Sequence, residues 1–383
     1  MNEDKATRYQ RLRRQTSVLA TAVSVLLLPA LVVSGGAAAL RDWVGGVTGT
    51  AGAGAVLGTS LFVVVVALGH ELVLLPFAWH RDVRLERRYG LSSQTVGRWC
   101  GDQAKGLALS LLFLIPVAGL LRLLLAWSPA GWWLPAAVIL TLLVAGLAQV
   151  APVLLLPLFD ECVPLARPDL VARLQRLAAR AGAPVTEVFE WRLSGRTRKA
   201  NAALAGLGRT RRILLSDTLL ADHSDDEIEV ILAHELGHQV HHDVWKGVAF
   251  QGALLTLGAW LADRVLTAAV GSFGIVSKAD LAAMPLLAVA MGAVALLLVP
   301  VANAWSRAHE RRADRFALDL TANAAAFITA MRRLAAQNLA EDRPSRVVEL
   351  LFYTHPPVSA RIAAAQAWAD RPAAGGTGGG HRR

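Results

Sequence analysis

Residues 54–79 read GAVLGTSLFVVVVALGHELVLLPFAW, with His70 and Glu71 as the only ionisable side chains. Wound as a helix, such a run crosses the roughly 30 Å of hydrocarbon in a bilayer. The same length and apolarity recur, more or less strictly, over 17–40, 106–127, 132–158, 247–270 and 281–305. Any one of these is compatible with a buried helix of a soluble core, the fifth most readily because it carries Asp263 and Arg264. Six together are not. Composition agrees: 54% of residues are hydrophobic, 18% are charged and the mean hydropathy is +0.43, the profile of a membrane protein. The expected fold class is a predominantly α-helical polytopic membrane protein. Ionisable groups inside a span are costly and suggest an interior cavity around His70 and Glu71. The sequence gives those two no role, and mutual pairing is enough to explain them.

Charge asymmetry sets the expected topology. Lys5, Arg8, Arg11, Arg13 and Arg14 precede the first run, which is too long for a cleaved signal peptide and reads as a retained signal-anchor. Arg41 is the only basic residue of the connection 41–53, whereas 80–105 holds Arg81, Arg84, Arg87, Arg88, Arg98 and Lys105. Residues 128–131 hold none, and 271–280 only Lys278. Both termini, the 80–105 loop, 159–246 and everything after 305 are therefore expected in the cytoplasm, in a multi-pass protein of the plasma membrane. Trp43, Trp79, Trp127, Trp132, Trp133, Trp245 and Trp305 fall at or near span ends, as an aromatic belt requires. The net charge of +10 is concentrated beside spans, where orientation and anionic lipid explain it without nucleic acid. Membrane lipid is an expected partner and nucleic acid is not. Cys100 and Cys162 form no metal or redox motif, and on the cytoplasmic side they read as ordinary thiols.

The chemistry concentrates at His234-Glu235-Leu236-Gly237-His238. Ser224-Asp225-Asp226-Glu227 reads as a capping box with an acidic first turn. Apolar residues then recur at Ile228, Ile231, Leu232, Leu236 and Val240 on one helical face. Imidazoles four residues apart on a helix lie one turn above each other and can grip a single ion. Glu235, one step round, is placed to take a proton from a water polarised by that ion. Two unrelated histidines on a solvated helix are the competing explanation.

A catalytic zinc needs a third protein ligand and an open position. The metzincin extension requires Gly at 241 and His at 244, but these are His241 and Val244. An intramembrane protease would set the motif in an apolar span, whereas here Asp225, Asp226 and Glu227 precede it and His241, His242 and Asp243 follow. That leaves a carboxylate from a second helix. In Ser306–Ala317, Glu310 and Asp314 are four apart and share a helix face. Glu310 is placed to ligate, and Asp314 to accept a hydrogen bond from a ligand histidine. A solvated charged face beyond a span is the plain alternative. His309 is a rival ligand, but it points about 100° away from Glu310.

The motifs occur in a specific order and spacing. They are Tyr89-Gly90-Leu91-Ser92-Ser93-Gln94-Thr95 with Trp99, Pro157-Leu158-Phe159-Asp160, Asn201-Ala202 and Arg211–Leu220. His234–His238, Ser306–Asp314 and Thr354-His355-Pro356-Pro357 with Arg361 complete them. In this combination the sequence resembles the integral-membrane zinc metallopeptidases typified by the type I CAAX prenyl endopeptidase. The resemblance implies one Zn2+ per chain on His234, His238 and Glu310, with Glu235 as general base. It implies that Asn201 and Ala202 bind substrate backbone by strand addition and that His355 stabilises the oxyanion. Arg361 is implied as a supporting residue or a contact to a substrate carboxylate. Without the resemblance, 201–202 reads as a plain amphipathic strand and His355 as part of a helix-entry turn. Two departures stand out: the eukaryotic prenyl proteases are generally given seven spans, and Ala203 occupies a position where an aromatic is common.

The expected body is a helical bundle with a small cytoplasmic α/β element, comprising a helix near 167–182 and strands near 186–193 and 211–216. Residues 1–158 are expected to form a membrane region with four spans. Residues 159–371 form the peptidase region with two more, and 372–383 a disordered tail. The expected activity is hydrolysis of peptide bonds in membrane-associated or lipidated polypeptides on the cytoplasmic side. The alternatives are C-terminal processing of prenylated CAAX proteins and, less well supported, an inactive membrane scaffold or transporter.

Overall fold

A computed structural model describes residues 4–150, 154–206 and 211–371. The tail expected at 372–383 lies outside the described residues. Helix α1 (Lys5–Val33) starts well before the first apolar run and stops where Gly35 takes φ +77°, a conformation open to glycine at no steric cost. The chain re-enters helix as α2 (Gly36–Thr48), so the expected span 17–40 is divided. Helix α3 (Gly52–Trp79) passes through a π-helical turn at His80–Leu85 into α4 (Glu86–Arg88). Thr95 caps α5 (Val96–Trp127), accepting from the Arg98 amide, and α6 (Trp133–Val150) follows. Lys5–Val33, Gly52–Arg88, Val96–Trp127 and Trp133–Val150 are each long and apolar enough to cross a membrane.

The α/β element comes next: β1 (Cys162–Pro164), α7 (Pro168–Arg180), β2 (Glu187–Trp191), β3 (Ala202–Ala205), β4 (Arg212–Ser216) and α8 (Asp217–Asp222). The sheet order is β1-β2-β4-β3, with β2 and β4 parallel and the outer pairs antiparallel. Both expected strands and the expected helix are present, and β1 is an addition. Helix α9 (Asp225–Val240) carries the histidines and α10 (Asp243–Ala269) follows it after a single turn.

Helices α11 (Met284–Leu297) and α12 (Val299–Thr321) replace the straight span expected at 281–305; they meet at 49° and together are apolar enough to cross. Pro300 stands at the start of α12, where it has no N–H to donate backward and breaks a continuous helix. The expected span 247–270 is continuous helix within α10, but falls short of the apolarity of the other four. Its Asp263 is fully buried against Trp132 Nε1 (2.9 Å) and Lys278 Nζ (2.7 Å). The chain ends in α13 (Ala324–Gln337), α14 (Arg346–Phe352) and α15 (Val358–Ala369).

One core organises the second half of the chain. Leu170, Leu174 and Leu177 of α7, at helical spacing, pack with Ile213 and Leu215 of β4 and with Phe327 and Ala330 of α13. Helix α9 runs through this cluster with Ile228, Ile231, Leu232 and Leu236 buried, so the motif sits on a helix enclosed nearly all round. The membrane region is pinned to the sheet by charge. Asp160 accepts from Arg98 (3.1 Å) and Arg196 (3.0 Å). Lys199, just ahead of β3, bonds Glu86 at 2.8 Å, and Glu86 also takes the Tyr9 hydroxyl.

Candidate functional site

Two helices build the site. At the start of α9 the capping box is complete: the Glu227 amide donates to Ser224 Oγ and the Ser224 amide to the Glu227 carboxylate. That frees the second half of the helix for His234 and His238, whose rings stand edge to face with centroids 4.9 Å apart. Gly237 lets α12 approach closely. A Cβ built on it lies 3.1 Å from Ala313 Cα, tighter than ordinary packing. The closeness brings Glu310 of α12 under both rings. Its Oε2 is 3.2 Å from His234 Nε2, and its Oε1 is 3.3 Å from His238 Nε2.

His234, His238 and Glu310 form a group whose donor atoms all lie within 4.8 Å of one another, as a bound cation requires. Glu310 Oε2 is buried and, among the described residues, makes no well-formed hydrogen bond; it faces only the His234 ring at 3.2 Å. A buried carboxylate oxygen satisfied so weakly is costly inside a protein, and a cation at this point would lower that cost.

Each imidazole is held by its other nitrogen. His234 Nδ1 is 2.9 Å from Asp314 Oδ1, and Asp314 is gripped through both oxygens by Arg361. Burial opposes charge on His234, but Asp314 and Glu310 outweigh it and push the ring up to about 9. His238 Nδ1 is 3.0 Å from Asp243 Oδ2. Asp243 also meets His309 at 3.0 Å and takes a short contact from Arg312 of α12. Burial raises the Glu235 carboxyl above its ordinary value, the direction that makes a carboxylate a better proton acceptor near neutrality. His355 lies in the turn between α14 and α15, with Nε2 3.4 Å from Glu310 Oε1 and Nδ1 2.9 Å from Thr354 Oγ1.

His234, His238, Glu310, Asp314, His355 and Arg361 thus converge, with Glu235 one step round α9. His309 is drawn to Asp243 rather than into the cation group. Asn201 immediately precedes β3 and Ala202 opens it; β3 is an edge strand that, among the described residues, pairs with β4 alone and packs on α9. The Asn201 backbone is exchanged with Ser216, N to Oγ at 2.9 Å and O from N at 3.0 Å. His70 bonds Ser24 Oγ at 2.8 Å rather than Glu71. Asp243 had a sequence signal, an acid just past a helix end bearing His238, but its choice of partner is visible only in three dimensions.

Comparison with known proteins agrees with this architecture. Residues 164–369 match the model of peptidase family M48. Residues 2–161 match that of the CAAX prenyl protease N-terminal region, described as five membrane helices. The chain is 30% identical over 319 residues to a Bacillus subtilis protein named as an uncharacterized metalloprotease, YhfN, spanning 81% of this chain and 74% of that protein. It is also 30% identical over 314 residues to the CAAX prenyl protease 1 homolog of Arabidopsis thaliana, with 81% and 73% covered. The fold matches the crystal structure of S. mikatae Ste24p with a TM-score of 0.80 at 22% identity, covering 94% of this chain and 87% of that one. The chain belongs to peptidase family M48, as a multi-pass, membrane-embedded metalloprotease.

Proposed function

We propose that the chain is a zinc endopeptidase that cleaves membrane-associated or lipidated polypeptides at the cytoplasmic face. The observation that carries the reading is the cation group itself. Two imidazole nitrogens and a carboxylate oxygen are the donor set of a catalytic zinc. The three donor atoms, one from each residue, all lie within 4.8 Å of one another, close enough for His234, His238 and Glu310 to hold one zinc ion together. Bound there, zinc supplies Lewis acidity to the scissile carbonyl and to the attacking water.

The chain's own residues do the rest. Glu235 accepts the proton of the attacking water and passes it to the leaving amine. His355 donates to the oxygen on which charge develops. Asp314 and Asp243 fix the ring orientations of His234 and His238, and Arg361, committed to Asp314 through both oxygens, supports that arrangement rather than a substrate carboxylate. The free edge of β3 offers the Ala202 backbone for strand addition by substrate, and Asn201, whose backbone is committed to Ser216, would contribute its side chain. Residues 1–158 serve as the membrane region and 159–371 as the peptidase region.

Lipidated substrates are favoured by an apolar cavity of about 640 Å³ among the spans, lined by Leu28, Phe62, Leu107 and Met284, with His70 and Glu71 on its wall. The cytoplasmic placement rests on the charge asymmetry of the loops. Processing of prenylated C-termini is the second reading, favoured by relatives named as CAAX prenyl protease 1 homologs. Glu235→Gln tests the chemistry: the purified variant should retain stoichiometric zinc and lose cleavage. Phenanthroline-sensitive turnover surviving in that variant would refute the assignment. Comparing a prenylated peptide with its unprenylated twin separates the two substrate readings.

A further inference from the structure

His355 sits on a turn that does little to hold it. Its side chain is 60% exposed, and among the described residues its polar contacts are a hydrogen bond with Thr354 and an approach to the Glu310 carboxylate. A donor that must meet developing charge within a few tenths of an ångström cannot be left to a free loop. Its placement must come from the backbone on either side.

Upstream, α14 is seven residues long and ends three residues before His355. Glu349 O takes the Tyr353 amide at 3.2 Å, the later carbonyls of the last turn are left without a helical donor, and α12 supplies further donors to this end. Arg307 is 7% exposed, and its Nη1 donates to Glu349 O (2.9 Å) and Tyr353 O (2.7 Å) while Nε lies 3.3 Å from the Glu349 carboxylate. Asn303, one turn earlier, donates to Leu350 O at 3.0 Å. A buried guanidinium on the carbonyl end of a helix also satisfies the local dipole. Downstream, Pro356 and Pro357 fix the chain's entry into α15, where Arg361 returns to Asp314. Asn303, Arg307, Glu310 and Asp314 therefore share one face of α12. The residue that approaches the cation and the residues that fix the His355 turn belong to one rigid helix.

We propose that Arg307, seconded by Asn303, is a positioning residue for His355: it caps α14 and pins the Tyr353 carbonyl, and so sets the distance between His355 and the group at Glu310. The inference rests on the reading of His355 as the oxyanion donor. Arg307 touches neither substrate nor cation and acts through the turn.

The test is a double-mutant cycle on the full chain in detergent, with kcat, KM and the zinc Kd measured for each variant. His355→Ala should lower kcat about 10²- to 10³-fold, the usual effect of losing an oxyanion donor. Arg307→Lys keeps the charge but not the fork, and should lower kcat about 10-fold or more through misplacement. Its KM and zinc Kd should stay within about twofold. Asn303→Ser, a milder change, should do the same more weakly. In the His355→Ala background, Arg307→Lys should cost less than about twofold, because its target is gone. An undiminished loss in that background overturns the positioning role and leaves the reading of His355 standing. A fall in zinc affinity parallel to kcat overturns it too, since Arg307 would then act through Glu310. Wild-type kcat in His355→Ala refutes the oxyanion role itself, and this inference with it.

Discussion

Gly237→Ala separates helix stability from metal-site geometry in a single methyl group. In an exposed helix, alanine in place of glycine stabilises by about 1 kcal/mol. Here the new Cβ meets Ala313 Cα at 3.1 Å, with Ala313 Cβ and the edge of Phe316 at 3.3 Å. Contacts that short require the neighbour to yield by a few tenths of an ångström, and the neighbour is backbone. Overpacking of this kind costs about 1–3 kcal/mol, so net stability should fall by about 0–2 kcal/mol. The larger effect is on the cation. Ala313 lies between Glu310 and Asp314 on α12, so a retreat of that helix lengthens the 3.2 and 3.3 Å approaches of Glu310 to the two histidines. It also loosens the Asp314 bond to His234. Zinc affinity should drop about 10- to 100-fold, the range seen when partners of metal-binding residues are altered. Chelator competition gives the zinc Kd, and thermal unfolding with and without zinc gives the stability change. A variant that melts higher than the parent and binds zinc equally well would show that α9 and α12 are not in limiting contact, and the reasoning would fail.

Further outcomes follow from the same geometry. Asp243→Ala removes the partner of His238 and leaves His309 and Arg312 facing no carboxylate at that point; zinc affinity should weaken about 10- to 100-fold with kcat at saturating zinc little changed, and an unchanged Kd would refute the role of Asp243. Leu215→Ala, in the fully buried centre of β4, should cost about 2–5 kcal/mol, read by thermal unfolding in detergent, while a cost below about 1 kcal/mol would mean the sheet does not anchor α9.

The helix-spaced parts of the site were readable from local pattern. His234 with His238, and Glu310 with Asp314, are four-residue repeats on helices, and a capping box announced α9. Helix α7 was likewise visible from its helical apolar spacing, and strands β2 and β4 from short runs of apolar residues. What escaped was set by partners distant in sequence. Nothing near Arg307 says that it caps a helix at 346–352, and nothing near Asp243 says that it bridges His238 to α12. The expected sixth span looked continuous because hydropathy does not register a bend, although Pro300 marked the place. The span expected in α10 failed on apolarity, since Asp263, Arg264 and Gln251 dilute the run.

The hairpin of α10 and α11 stands in sequence between the helix that brings the histidines and the helix that brings Glu310. As the chain is synthesised, His234 and His238 emerge first, with no third ligand to meet. Glu310 arrives only after the hairpin, and reaches them only once α10 and α11 have folded back on each other. The third member of the cation group thus depends on both helices of the hairpin having been made, and a chain that stops short of α12 holds the two histidines without Glu310.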